Sequence, residues 1–160
     1  MVKSLPKLIA SLGICLGTGF VGSIFTTSSP PAGGLTWYLT LNKPFFSPPN
    51  WIFAPAWTIL YILMGISLYL VWISGKKHRQ NAINLFFVQL GLNFLWSILF
   101  FGMKNPVLGF IDIVALWIAI FLTIKSFSKI NKLASNLLVP YLLWVSFATI
   151  LNFSIILLNP

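Results

Sequence analysis

An all-α integral membrane protein, a bundle of five transmembrane helices with a long structured loop between helices 1 and 2, is the fold this chain predicts. Three observations predict it. Hydrophobic residues make up 58% of the 160-residue chain and charged residues 7%, with a mean hydropathy of +0.94, far from the mix of a soluble domain. Apolar runs long enough to cross a bilayer, each needing about 20 residues, recur five times and exhaust a single domain, 1–160. The basic residues fall between these runs and at their edges.

The first run, 8–27, follows Lys3 and Lys7 and has the outline of a secretory leader. It is longer than the apolar part of such a leader, and the SSPPAGG that follows would put prolines at the cleavage point, so it reads as a retained helix. Gly13 and Gly17 form a GxxxG pair on one of its faces, while Ser11, Cys15, Thr18, Gly22 and Thr26 follow helical spacing on another. Small residues let helix backbones approach closely in lipid.

Segment 28–50 comes next, about twenty residues rich in proline and aromatics. A connection of this length in a small bundle is usually functional, and its stiff composition reads as a lid. The second run, 51–74, sets Trp57, Tyr61, Gly65 and Tyr69 at four-residue steps. Asn50 stands where an N-cap belongs, and Pro55 removes the bond to the Trp51 carbonyl, which predicts a bend that turns Trp57 and Tyr61 inward. The third run, 82–102, aligns Gln89, Asn93, Trp96 and Ser97. The fourth, 107–124, carries Asp112, Ala115, Ala119, Thr123 and Ser126 on an inward stripe. The fifth, 137–158, aligns Tyr141, Trp144, Ala148 and Asn152.

A net charge of +9 would suggest nucleic acid in a soluble chain, but here the basic residues alternate with spans and read as topology signals and lipid-headgroup contacts, with no nucleic acid. Lys3, Lys7, Lys76, Lys77, Arg79, Lys125, Lys129 and Lys132 fall on one side, Lys43 and Lys104 on the other. This bias predicts a cytoplasmic N-terminus and an external C-terminus. No Arg-rich presequence is visible, which favours a bacterial cell membrane over a mitochondrial one.

Conventional chemistry finds little support. Cys15 and His78 are the single residues of their types, so no internal disulfide, thiolate metal site or histidine-based site can be built, and no metal or required cofactor is expected. Asp112, the one acid, lies inside a span, where ionisable groups point to function; it reads either as the carboxylate of a small proton-coupled exporter or as a protonated link to Asn93 or Gln89. The aromatic stripes of helices two, three and five also have two readings. They converge on an apolar pocket with a few polar anchors, or they make interhelical bonds and interfacial belts, for which Trp37, Trp51, Trp72 and Trp117 are suited.

Specific stretches carry a family resemblance. The run WYLTLNKPFFSPPNWIFAPAWTILYILMGISLYLVW, then QLGLNFLW, GFIDIVAL and LVPYLLWVSFATILN, in that order, resembles the TspO/MBR family of tryptophan-rich sensory proteins and translocator proteins, formerly called peripheral-type benzodiazepine receptors. The match extends from about Trp37 to Asn152. It implies a five-helix bundle, commonly a homodimer, with a cavity beneath the loop joining the first two helices. It further implies a receptor or transporter-like protein for porphyrins such as protoporphyrin IX and heme, and for benzodiazepine- and isoquinoline-type drugs. By position, Trp57 and Trp144 match the family's pocket tryptophans, to which a role in light- or oxygen-dependent porphyrin degradation has also been attributed. Tyr61, Asn93, Trp96, Ala148 and the lid residues Trp37 and Trp51 match positions near that cavity, Tyr141 is added as a binding candidate from the fifth-helix stripe, and Asp112 matches the fourth-helix acid. The family's cholesterol motif is broken, because Phe153 replaces its tyrosine and no basic residue follows, so sterol binding is not expected.

Overall fold

A computed structural model describes residues 4–27 and 33–160. Lys3 and segment 28–32, which the charge count and the lid reading include, lie outside the described residues. Seven α-helices run in order: α1 (Leu5–Ser23), α2 (Gly34–Thr40), α3 (Phe53–Trp72), α4 (Arg79–Ser97), α5 (Pro106–Ser128), α6 (Lys132–Leu137) and α7 (Val139–Leu158). With their short extensions they form five spans, Leu5–Thr26, Asn50–Trp72, Arg79–Gly102, Pro106–Ser128 and Lys132–Leu158. No strand occurs among the described residues.

Local chemistry sets the ends. Pro6 opens α1 and Pro106 opens α5, each in a first turn whose N–H groups need no intrahelical partner. The Asn105 side chain accepts from the amides of Val107 and Leu108, both at 3.0 Å, and Asn131 accepts from Ala134 at 3.1 Å. These asparagines cap helices; Asn50 does not, since the second span enters through a 3₁₀ turn, Asn50–Ile52, with no side-chain cap. Pro55 therefore falls in the first turn of α3 and removes no α-helical bond from its interior. The bend expected there takes the form of a 3₁₀-to-α junction.

Within the spans, hydroxyls satisfy themselves against their own helices, as lipid requires. Thr18 donates to the Ile14 carbonyl at 2.8 Å, Thr58 to Ala54 at 2.8 Å and Thr149 to Val145 at 2.7 Å. Others tie helices together. Ser67 of α3 donates to the Ala134 carbonyl of α6 at 2.7 Å, Ser135 of α6 to Ile124 of α5 at 3.0 Å, and the Trp117 indole of α5 to Ser146 of α7 at 2.7 Å.

Round the bundle, α1 packs on α3, α4 on α5 and α5 on α7, with α6 wedged against α3 and α5. The α1–α3 seam is close because Gly65 has no side chain: a Cβ there would lie 2.9 Å from the Leu12 side chain and 3.2 Å from the Ser11 carbonyl. Ser11, Cys15 and Gly22 form the buried stripe of α1, whereas Gly13 and Gly17 face open space, so the GxxxG pair is not used inside the protomer. On α5 the inward stripe is Gly109, Asp112, Leu116, Ala119 and Thr123; Ala115, expected on it, is exposed.

The bundle has two unlike ends. Lys7 lies over the Trp72 ring at 5.9 Å and Lys76 donates to the Lys129 carbonyl at 3.2 Å, which gathers the α1 start, the α3–α4 turn and the α5–α6 turn at one basic end. At the other end α2 lies across the helices. Gly34 docks against the Phe25 carbonyl and Phe101, where any Cβ would collide, and Tyr38 packs on Phe53, Phe100 and Phe101. The lid is then strapped to the last helix: the Asn42 amide N–H donates to Asn159 Oδ1 and Asn159 Nδ2 donates to the Asn42 carbonyl, both at 2.9 Å.

Candidate functional site

Beneath α2 lies a cavity of about 620 Å³. It exists because α3 and α7 barely meet through their backbones, and large aromatic side chains span the gap between them. Trp57 of α3 stands edge-on to Trp144 and Tyr141 of α7, at centroid distances of 6.5 and 6.2 Å, and 5.7 Å from Tyr61. Phe53 meets Trp144 at 6.0 Å. The facing wall comes from α4, where Trp96 stacks on Phe100 at 5.0 Å with an interplanar angle of 16°. Leu35 and Tyr38 of α2 form the roof, and Leu16, Gly19 and Phe20 of α1 one side. Leu16, Phe20 and Thr58 on this rim are exposed, so the cavity reaches the lateral surface between α1 and α3.

The last turn of the third span is a π-helix, Ile98–Gly102, closed by the Met103 amide donating to the Ile98 carbonyl at 2.7 Å. Its wider turn carries Phe100 and Phe101, whose rings meet at 4.9 Å in a T-shape and both line the cavity.

The floor is polar. Tyr61 donates to Asn93 Oδ1 at 2.5 Å and Asn93 Nδ2 donates to the Tyr141 hydroxyl at 3.0 Å, a buried chain joining α3, α4 and α7. Higher up, the indole N–H groups of Trp96 and Trp144 are buried, border the cavity and have no hydrogen-bond partner in the protein. Two donors left open on an aromatic wall suit a ligand with acceptor atoms. At the roof, burial pushes the Tyr38 phenol above its ordinary pKa range, and Lys43 lies over its ring at 5.0 Å while donating to the Tyr38 carbonyl at 3.1 Å.

The structure brings together Trp57, Tyr61, Asn93, Trp96, Trp144 and Ala148, all on the cavity wall. Four other candidates sit elsewhere. Tyr141 is fully buried behind the wall, bonded to Asn93 and edge-on to Trp57, and borders the cavity only through these two. Trp37 packs edge-on against Phe100 at 5.5 Å, buttressing the wall from outside. Trp51 is 73% exposed and does not line the chamber. Asp112 is buried off the cavity, and its expected bond to Asn93 or Gln89 is not formed: the Asn93 amide is taken by the two tyrosines, and Asp112 Oδ2 and both Gln89 amide atoms lack partners. Sequence reasoning missed Phe53, Phe100, Phe101 and the α1 residues. Phe100 was accessible, since Asn93, Trp96 and Phe100 follow i, i+3, i+7 spacing; the α1 side was not, because the small-residue stripe of that helix, whose Gly22 and Thr26 reach the chamber, reads as a packing face.

Five apolar spans around a roofed aromatic chamber define a multi-pass integral membrane protein. Comparison with known proteins narrows the class. The TspO/MBR family profile matches residues 11–158. The chain is 54% identical over 153 residues to the tryptophan-rich protein TspO of Archaeoglobus fulgidus, covering 96% of this chain and 97% of that one. Identity to the tryptophan-rich protein TspO of Chlorobaculum tepidum is 50%, with both chains covered in full. The translocator protein of Homo sapiens is 34% identical, over 94% of this chain and 90% of its own. This chain belongs to the TspO/MBR family, whose members support a receptor- or transporter-like role in the membrane.

Proposed function

We propose that the chamber binds porphyrins, protoporphyrin IX or heme, and comparable planar hydrophobic molecules such as benzodiazepine- and isoquinoline-type drugs. The observation that carries this reading is the pair of buried, unpartnered indole N–H groups of Trp96 and Trp144 on an aromatic wall. A flat macrocycle offers its face to Trp57, Trp144 and Tyr61, where each aromatic contact contributes roughly 0.5–1.5 kcal/mol beyond burial. Its nitrogen or carboxylate edge offers acceptors to the open indoles. None of the lining residues is a histidine or cysteine, and the Tyr61 hydroxyl is engaged by Asn93, so heme would depend mainly on stacking. Asp112 lies off the lining, which weighs against its service as the carboxylate of a proton-coupled exporter. The reading includes the basic end facing the cytoplasm, and a homodimer, for which Gly13 and Gly17 offer an open small-residue face.

Titration of protoporphyrin IX into the purified protein, followed by tryptophan quenching, tests the assignment. Trp57→Phe and Trp144→Phe are expected to weaken binding by about three- to tenfold each; unchanged affinity in both would sink it. Porphyrin absorbance followed under light in the same samples separates retention from degradation, the alternative in which Trp57 and Trp144 take part in light- or oxygen-dependent breakdown of the porphyrin.

A further inference from the structure

The basic end carries a second concavity, about 450 Å³, in the notch between the α3–α4 turn and the α5–α6 turn. Lys76, Lys77, His78 and Asn81 line it from one turn, Ser126 and Lys129 from the other. The Lys76 ammonium donates to the Lys129 carbonyl, so the two turns are pinned together with a cation at their junction. Lys77 and Lys129 are exposed into the same notch.

No carboxylate answers these charges. The chain has a single acid, Asp112, fourteen residues before Ser126 on α5 and so about 20 Å away along the helix. Like charges crowded in a notch raise its energy unless an anion enters. The start of α4 adds to the same field: His78 stands at its N-cap without a side-chain bond to the first-turn amides, and a 19-residue helix presents partial positive charge there. Asn81 and Ser126 add neutral donors. The notch also lies at span ends, its Lys76 four residues beyond Trp72 at the end of α3, the level at which interfacial tryptophans and headgroups meet.

We propose that this notch is a phosphate-binding site, separate from the aromatic chamber, in which Lys76, Lys77 and Lys129 neutralise a phosphate. The phosphate belongs either to an anionic phospholipid at the membrane surface or to a soluble phosphate compound, and the same residues serve both.

Native mass spectrometry of the detergent-purified protein with phosphatidic acid, and with phosphatidylcholine as the zwitterionic comparison, tests it. Phosphatidic acid is expected to bind in preference. The double variant Lys76→Gln, Lys129→Gln should lose roughly twenty-fold or more in affinity, about fivefold for each lysine, while Lys104→Gln at the lid end should lose nothing. Circular dichroism checks the fold of each variant. Should the double variant not fold, Lys77→Gln, which removes no internal hydrogen bond, carries the same expectation at about fivefold. Displacement of phosphatidic acid by millimolar inorganic phosphate assigns the notch to soluble phosphates, and its persistence assigns it to the lipid. Equal binding of phosphatidic acid to wild type and to the folded pocket variants overturns the proposal, as does equal binding of the two lipids with no competition by phosphate.

Discussion

Asn93 is the residue on which three spans converge. Its amide accepts from Tyr61 and donates to Tyr141, and both tyrosines are buried, Tyr141 completely, so neither hydroxyl has ready access to water instead. Asn93→Ala should therefore leave two buried hydroxyls short of a partner and lower stability by about 2 kcal/mol, read as a fall in thermal midpoint in detergent. Tyr38 offers a pH test. Its phenol is raised above the ordinary 10.0 by burial, so the folded lid keeps its proton where an unfolded tyrosine would lose it. That stability is present below about pH 10 and is lost as pH rises through the folded value. Tyr38→Phe should flatten the alkaline decline in the thermal midpoint; an identical decline would contradict the assignment. Asn93 and Tyr61 were legible in the sequence because amides and tyrosines stand out on apolar helices. The positions of Trp51 and Tyr141 were not, since spacing along one helix says which face a residue takes but not whether that face meets cavity, core or surroundings.

Among the elements, all five spans were visible from hydropathy, with most boundaries displaced by a few residues and the ends at Gly102 and Leu158 met. The fifth starts at Lys132 and not near 137, because Asn131 caps the short α6, which Leu138 then joins to α7. Helix α2 was hidden inside what composition marked as a stiff loop: seven residues, Gly34–Thr40, are too few for periodicity to declare themselves. The role of the small residues was legible only in part. Sequence alone ranks Gly13 and Gly17 with Gly65, yet only Gly65 sits under another backbone. Gly65→Leu is thus expected to split α1 from α3 and cost several kcal/mol or prevent folding, whereas Gly13→Leu should preserve the protomer's helix content and midpoint. Equal tolerance of both by circular dichroism would show that the α1–α3 seam is misdrawn.

For the molecule as a whole, the fold divides its chemistry between two ends. The basic end is pinned by Lys76 and crowded with uncompensated charge, and the lid end is closed by α2 and strapped through Asn42 and Asn159. Asn159→Ala removes the strap without touching the chamber, so it should speed ligand release in stopped-flow measurements while changing equilibrium affinity less. The central claim is that the ligand occupies the space beneath the lid. Ala148 is the smallest side chain named on that wall, and filling it removes no aromatic group or donor. Protoporphyrin IX titrated into Ala148→Trp, with folding verified by circular dichroism, is predicted to show binding weakened by at least about a hundredfold, as expected when a bulky side chain takes a ligand's place. Wild-type affinity in this variant would contradict the account.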